Sequence, residues 1–153
     1  MCGIIGLVAQ PGNRIDLDCQ QILAIRDVMT SRGPDDAGLF EKRNLAFAHR
    51  RLSIRDSIGG SQPWISDDAQ CVLVYNGELY NDQQLRSELT SQGHRFTSRC
   101  DTETVMAAYQ QWGTDCVTRL RGMFAFGIYD FRDDSLFLAR DRFGIKPLVC
   151  DGN

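Results

Sequence analysis

The spacing of apolar and polar positions predicts a chain of short strands with three helices among them. Apolar residues at helical spacing predict helices over 17–30, 82–91 and 102–112, the first of them capped by Asp16 or Asp18. Short apolar runs rich in β-forming residues predict strands. These strands cover residues 3–9, 37–41, 44–49, 71–75, 123–130, 135–140 and the tail 148–153.

The order of these elements favours an α+β fold. The strands are grouped and the helices come mostly in the middle of the chain, which does not fit strict β-α-β alternation. Antiparallel sheets flanked by helices fit better, and the segments 123–130 and 135–140 are predicted to form a hairpin. The chain shows no internal repeat, low-complexity stretch or linker, so residues 1–153 are predicted to form a single domain.

Composition and charge exclude several classes of partner. Apolar residues make up 42% and charged residues 24%, which is typical of a globular protein in water. The formal net charge is −3, and no face is basic enough to predict nucleic-acid binding. The N-terminal apolar run is too short for an export signal or a membrane span, so a cytoplasmic protein is the prediction.

Six cysteines and two histidines give no metal-binding or redox spacing, because no two cysteines form a CxxC pair. In a cytoplasmic protein these thiols are expected to be reduced. Cys71, Cys100 and Cys150 lie in or beside apolar segments and are predicted to be buried apolar side chains. Cys2 differs from them because it lies at the extreme terminus, where packing demands are weakest.

Cys2 becomes the first residue if Met1 is removed, which a small second residue permits. It then carries a thiol and an α-amine on one Cα, with pKa values of about 8.5 and about 7.7–8.0. Such an amine can take the proton of the thiol directly or through one water, so the nucleophile needs no histidine partner. Taken alone, Cys2 is better explained as an arbitrary second residue.

The segment Asn76-Gly77-Glu78 offers a place to stabilise an oxyanion. Attack on an amide carbonyl creates a negative oxygen, which needs hydrogen-bond donors already aimed at it. The Asn76 side-chain amide and the backbone N–H of Gly77, held at the end of a buried strand, supply two such donors. The alternative is a plain Asn-Gly turn with positive φ, which an isolated Asn-Gly pair usually forms.

Arg51 and Asp101 supply the two charges that a free amino acid requires. An arginine binds a carboxylate with a fork of N–H donors, and an aspartate binds an ammonium. Arg51 is predicted at the end of a strand, with a solvated surface charge as its alternative. Asp101 is predicted at the start of a helix, where an acid is also favoured by the helix dipole alone.

Each of these signals is weak, but eight segments in this order resemble the class II glutamine amidotransferases of the N-terminal-nucleophile hydrolase superfamily. Within that family the chain looks most like the glutaminase domain of asparagine synthetases. The Arg-Gly-Pro-Asp and Arg-Leu-Ser-Ile segments and the last segment point to this group. The segments are residues 1–6, 32–35, 48–54, 61–63, 75–81, 100–103, 120–126 and 140–148, nearly the whole chain.

The resemblance implies a fold and a set of roles. The implied fold is a four-layer αββα sandwich of antiparallel sheets flanked by helices. Cys2 is the implied nucleophile, and Asn76 with the amide of Gly77 is the implied oxyanion hole. The residues implied to hold glutamine are Arg51 for its carboxylate, with backbone contacts from Leu52, Ser53, Ile54 and Arg55, and Glu78 and Asp101 for its α-ammonium.

The resemblance also sets expectations for partners and cofactors. L-glutamine is the expected substrate, and ammonia is expected to pass to a synthetase domain or subunit that makes asparagine from aspartate and ATP. No cofactor is expected in this domain, since ATP and Mg²⁺ belong to the synthetase part, whose pyrophosphate loop has no match here. The family continues with further strands, so the domain is expected to be truncated at its C-terminus with an exposed edge. A homodimer remains open.

Two other functions also remain open. One is a catalytically inactive amidotransferase-like domain that binds glutamine or a synthetase as a regulatory module. The other is a different N-terminal-nucleophile hydrolase that cleaves another amide. The joint presence of Cys2, Arg51, Asn76, Gly77 and Asp101 counts against the first, and the Arg51/Asp101 pair favours glutamine over other amides.

Overall fold

Two antiparallel sheets form the centre of the fold. The structure is a computed structural model and describes residues 2–10, 12–53 and 59–151. The first sheet has the strand order β1-β3-β2 and the second the order β4-β5-β6-β7. The strands are β1 Gly3–Val8, β2 Asp36–Lys42, β3 Leu45–Arg51, β4 Trp64–Ile65, β5 Cys71–Leu79, β6 Gly122–Asp130 and β7 Ser135–Arg140.

Three α-helices flank the sheets: α1 Cys19–Asp27, α2 Asp82–Ser91 and α3 Asp101–Trp112, the last followed by a 3₁₀ turn. Asp18 is the N-cap of α1, and it forms a capping box with Gln21 in which each side chain accepts from the other residue's backbone N–H. Since this cap starts the helix at residue 19, α1 is shorter than predicted. None of the helices in the described residues has the length and apolar content of a membrane span.

Strand β3 shows how the layers are built, because its alternate residues face two different apolar layers. Leu45 and Phe47 pack toward the second sheet. Ala46 and Ala48 pack against Ile22 of α1. The small alanines let the helix approach the sheet closely.

Strand β5 has the same arrangement in the second sheet. Val72 and Val74 face the first sheet. Leu73 and Tyr75 face the layer of α2 and α3, where they meet Leu89 and other apolar helix residues. The order of layers is therefore α1, first sheet, second sheet, and α2 with α3, which confirms the predicted αββα sandwich.

The alternative of a plain Asn76-Gly77 turn is wrong, because β5 continues past its predicted end, through both residues, to Leu79. The pairing partner β6 runs beside the whole of β5, and Gly77 lies opposite Phe124. This ladder outweighs the local turn preference of the dipeptide. A Cβ at Gly77 would lie 2.6 Å from the carbonyl oxygen of Met123, so the glycine permits close strand approach rather than a turn.

The C-terminal tail also differs from its prediction. Over its described part, residues 148–151, the chain forms no strand. Val149 is 89% exposed, and Cys150 is exposed, whereas the predicted burial of Cys71 and Cys100 is confirmed. Leu148 is half-buried, so in the described part of the tail apolar character does not by itself bury Val149 and Cys150.

The substitution Leu73→Ala should strongly lower the free energy of unfolding. Leu73 is fully buried between β5 and the helices, so its truncation leaves a cavity that costs about 2–5 kcal/mol. Leu136→Ala in β7 is the matched control, since this leucine is 39% exposed, and it should cost clearly less. Urea unfolding of both variants measures the difference, and equal losses would contradict the assigned core.

Candidate active site

A pocket opens where the start of β1 and the end of β3 face the second half of β5 and the start of α3. It contains most of the site residues predicted from the sequence, although they are far apart in the chain. Ile54 and Arg55 of the predicted set lie outside the described residues. The predicted residues that line the pocket are Cys2, Arg51, Leu52, Asn76, Gly77, Glu78 and Asp101.

Cys2 is positioned by the pairing of β1 with β3. Gly3 lies opposite Arg50, so the residue before it reaches the end of β3. The backbone N–H of Leu52 donates to the Cys2 sulfur at 3.5 Å, and that sulfur lies 3.8 Å from the Leu52 carbonyl oxygen. These two contacts hold the Cys2 sulfur beside the backbone of Leu52, just past the end of β3.

Arg51 is the last residue of β3 and is only 4% exposed, so the alternative of a solvated surface charge is wrong. Its guanidinium packs so closely on Gly60 that a Cβ there would lie 2.3 Å from Nη2. The same Cβ would lie 2.9 Å from the Cys100 sulfur. Arg51 therefore occupies the end of the pocket next to Gly60 and Cys100.

The loop at residues 32–35 supports the chain at this end of the pocket. The backbone N–H of Asp35 donates to the Arg51 carbonyl oxygen at 3.0 Å. The Asp35 carboxylate in turn accepts from the backbone N–H of Ser53 at 2.7 Å. The Ser53 N–H is thus already bonded within the protein, and the loop supports the chain on both sides of Leu52.

Strand β5 presents a row of backbone N–H groups to the pocket side. In an antiparallel strand alternate N–H groups point to the same edge, and β4 covers this edge only at Val72 and Leu73. The N–H of Tyr75 donates to Gln62 Oε1 at 2.7 Å, and the N–H of Leu79 donates to Asp101 Oδ2 at 2.9 Å. The Gly77 N–H lies between them on the same edge.

Asn76 and Glu78 alternate with this row and continue the face of β5 that Val72 and Val74 turn toward the first sheet. Asn76 is buried and Glu78 half-buried. The Asn76 side chain and the Gly77 N–H are therefore neighbours on one rigid strand, at the wall of the pocket that faces Cys2 and Arg51.

Asp101 binds two groups of β5 in addition to its favourable position at the start of α3. It is the first residue of that helix, and its Oδ2 accepts from the Tyr75 hydroxyl at 2.8 Å as well as from Leu79. Burial, followed by the nearby Asp101 charge, raises the pKa of Tyr75 well above its ordinary value. Tyr75 therefore stays a neutral donor that holds the carboxylate in place.

Several pocket residues are absent from the sequence-based site. Gln62 is the clearest example, because it also donates to Thr102 Oγ1 at 3.2 Å and so joins β5 to α3. Its presence in the Ser-Gln-Pro segment was the only signal available from the sequence. The additional lining residues are Gln62, Tyr75, Cys100, Thr102, Met123 and Lys146.

His49 is almost completely buried on the face of β3 that looks toward the second sheet. Burial lowers the pKa of His49 to about 4; a hydrogen bond with the Tyr75 backbone opposes this shift, and the Arg51 charge adds a smaller lowering. No group among the described residues bonds to its Nε2. The ring is therefore neutral at physiological pH and belongs to the packing behind the pocket.

Comparison with known proteins decides the family. The model of the glutamine amidotransferase domain family matches residues 1–152. The chain belongs to this family. Its amidotransferase domain has the fold and the pocket described above, with the N-terminal cysteine at the pocket wall.

The relatives of this amidotransferase domain include asparagine synthetases that hydrolyse glutamine. Asparagine synthetase 3 of Bacillus subtilis is 40% identical, over 96% of this chain and 24% of its own length. Asparagine synthetase B of Escherichia coli is 38% identical, over 97% of this chain and 26% of its own. The chain thus spans about a quarter of the length of these curated relatives.

Solved structures give the same result for the fold. Glutamine phosphoribosylpyrophosphate amidotransferase of Bacillus subtilis, solved with ADP and GMP, matches with a TM-score of 0.52 and 25% identity. The match covers 65% of this chain and 24% of the other. An allosteric regulatory enzyme of purine biosynthesis matches with a TM-score of 0.55 and 26% identity, over 69% and 25% of the two chains. The chain thus shares the N-terminal-nucleophile amidotransferase fold, as the resemblance implied.

The buried His49 predicts a pH dependence of stability. Its folded-state pKa of about 4 lies below the unfolded value of about 6.5, so the unfolded state binds the extra proton first and stability falls as the pH drops through this window. Between about pH 7.5 and pH 4.5 this group should cost the wild type about 2–3 kcal/mol.

Urea unfolding of wild type and His49→Gln at the two pH values measures this contribution. The wild type should lose more stability than the variant over the interval. His94→Gln, at the other histidine, is the matched control. Parallel losses in wild type and His49→Gln would show that His49 is not held neutral in the folded protein.

Proposed function

We propose that this domain hydrolyses glutamine to glutamate and ammonia through a thioester on Cys2. The observation that carries the proposal is the meeting in one pocket of the Cys2 sulfur, the Asn76-Gly77 donors, and the opposite charges of Arg51 and Asp101. Each of these groups comes from a different element, so only the folded chain combines them. The family membership supports the same reaction.

Arg51 binds the α-carboxylate of glutamine in this proposal. Its buried guanidinium presents a planar fork that matches a carboxylate. Asp101 binds the α-ammonium together with Glu78, while the backbone of Leu52, which lines the pocket, contacts the carboxylate end. With the head group held at these positions, the side-chain amide extends toward Cys2 and β5.

The reaction begins when the Cys2 sulfur attacks the side-chain carbonyl carbon of glutamine. The proposal requires removal of Met1, so that the α-amine of Cys2 takes the thiol proton and delivers it to the leaving ammonia. The carbonyl oxygen becomes an oxyanion, which the Asn76 amide and the Gly77 N–H stabilise. Ammonia leaves, and water then hydrolyses the thioester to glutamate and restores the thiol.

We further propose that the ammonia serves asparagine synthesis from aspartate and ATP, in a synthetase domain or subunit that acts with this one. The support is the identity of about 40% to glutamine-hydrolysing asparagine synthetases across nearly all of this chain. In this proposal the amidotransferase domain uses no cofactor of its own, and ATP and Mg²⁺ act in the synthetase part. The place of action is the cytoplasm.

Cys2→Ala should abolish glutaminase activity, because the other thiol of the pocket, that of Cys100, is buried and burial raises its pKa. Cys19→Ala is the matched control, since Cys19 is exposed and lies outside the pocket. Release of ammonia and glutamate measures both variants. A form that keeps Met1 should also be inactive, because its α-amine is no longer on Cys2.

The electrophilic glutamine analogue 6-diazo-5-oxo-norleucine should label Cys2 and none of the other five cysteines. Peptide mapping by mass spectrometry locates the label. Equal turnover by wild type, Cys2→Ala and the Met1-containing form would rule out the proposed reaction. Glutamine binding without turnover in the wild type would instead indicate an inactive binding module.

Arg51→Lys should raise KM for glutamine by about ten- to a hundredfold, because a lysine cannot reproduce the paired, charge-assisted hydrogen bonds of the guanidinium. Arg43→Lys is the matched control, since Arg43 is exposed and lies outside the pocket. Steady-state kinetics measure both variants. An unchanged KM in Arg51→Lys would place the carboxylate of glutamine elsewhere.

A further inference from the structure

Lys146 is a buried lysine that lines the pocket and has no role in the mechanism above. It is only 5% exposed, although a lysine at this depth normally pairs with an acid. Among the described residues, no carboxylate forms a salt bridge with its ammonium. A desolvated positive charge that borders a pocket is stabilised by an anion that enters the pocket.

The backbone of Lys146 is held by the buried carboxylate of Asp141. That carboxylate accepts backbone N–H groups from Phe143 at 3.1 Å, Ile145 at 2.9 Å and Lys146 at 2.9 Å, and from Phe124 of β6 at 3.2 Å. Burial by itself raises the pKa of Asp141, but the four backbone hydrogen bonds together lower it further than burial raises it. The carboxylate therefore stays ionised. The loop therefore presents Lys146 from a fixed position.

The same contacts place Lys146 near the proposed oxyanion donors. One oxygen, Asp141 Oδ2, accepts from both Lys146 and Phe124. Phe124 lies directly opposite Gly77 in the β5–β6 ladder. Arg51, by contrast, packs at the Gly60 and Cys100 end of the pocket, so the two cations serve different parts of a ligand.

We propose that the Lys146 ammonium binds the negative charge at the side-chain end of the bound amino acid. This charge is the oxyanion during the reaction and the side-chain carboxylate of the product glutamate. The inference rests on the proposed function, in which Arg51 and the acids Asp101 and Glu78 already hold the head group. Glutamine itself carries no charge at that end, so Lys146 favours the intermediate and the acid over the amide substrate.

Calorimetry of Cys2→Ala protein tests the proposal, because this protein binds both amino acids without turnover. Adding Lys146→Met should weaken L-glutamate binding by at least about tenfold, the effect of losing a charge-assisted hydrogen bond, and L-glutamine binding by less than about twofold. Lys146→Arg should restore glutamate binding. Lys42→Met, at the only other lysine of the chain, is the matched control.

A second measurement needs no substitution of Lys146. Because the chain has two lysines, ¹³C labelling at lysine Cε gives two NMR signals, with the exposed Lys42 as internal reference. Glutamate should shift the Lys146 signal clearly more than glutamine does at equal saturation. This readout remains available where Lys146→Met does not fold.

Equal effects on glutamate and glutamine, in either measurement, would overturn the role of Lys146, and so would an absence of glutamate binding. Failure of the proposed function is a separate result, since it appears as a lack of glutamine turnover by the wild type. Glutamate affinity that depends on Lys146 is measured without turnover and so stands apart from that result.

Discussion

The site depends on one edge of β5, the edge whose backbone N–H groups continue beyond the short strand β4. Strand β4 is only two residues long, and beyond it no other strand in the described part of the chain pairs with this edge of β5. Buried N–H groups must find acceptors, and here Gln62 and Asp101 bond to Tyr75 and Leu79. Between these two bonds Gly77 keeps its donor at the pocket. Extending β4 by a few residues would complete the sheet and remove the site.

The two sheets contribute different parts of the pocket. The first sheet brings the sulfur of Cys2 and the guanidinium of Arg51 to one side of the pocket through the pairing of β1 with β3. The second sheet brings the donors of β5 and, through Asp141, the ammonium of Lys146. A ligand between the sheets meets a nucleophile on one side and polar donors on the other.

Much of the fold could be predicted from the sequence, because local signals and tertiary packing agree for most elements. The α2 helix and the β6–β7 hairpin follow their patterns, and Asp18 caps α1 as one of two candidates. The predicted strand ended before Asn76-Gly77, whereas β5 continues through both residues. The nine-residue ladder with β6 outweighs the turn preference of this pair. Family motifs brought most pocket residues together, but Gln62 and Lys146 could not be assigned roles, since theirs depend on contacts between distant segments.

The pairing register of β1 with β3 sets the position of the Cys2 sulfur. Cys2 directly precedes β1, and β1 is an edge strand bonded to β3 alone in its sheet. A slip of one residue would turn every side chain of β1 to the opposite face, and a slip of two, which keeps the faces, would carry the thiol about 6–7 Å along the strand. Alternative pairings of this short edge strand would therefore be compatible with a folded sandwich yet leave the thiol out of reach of its ligand.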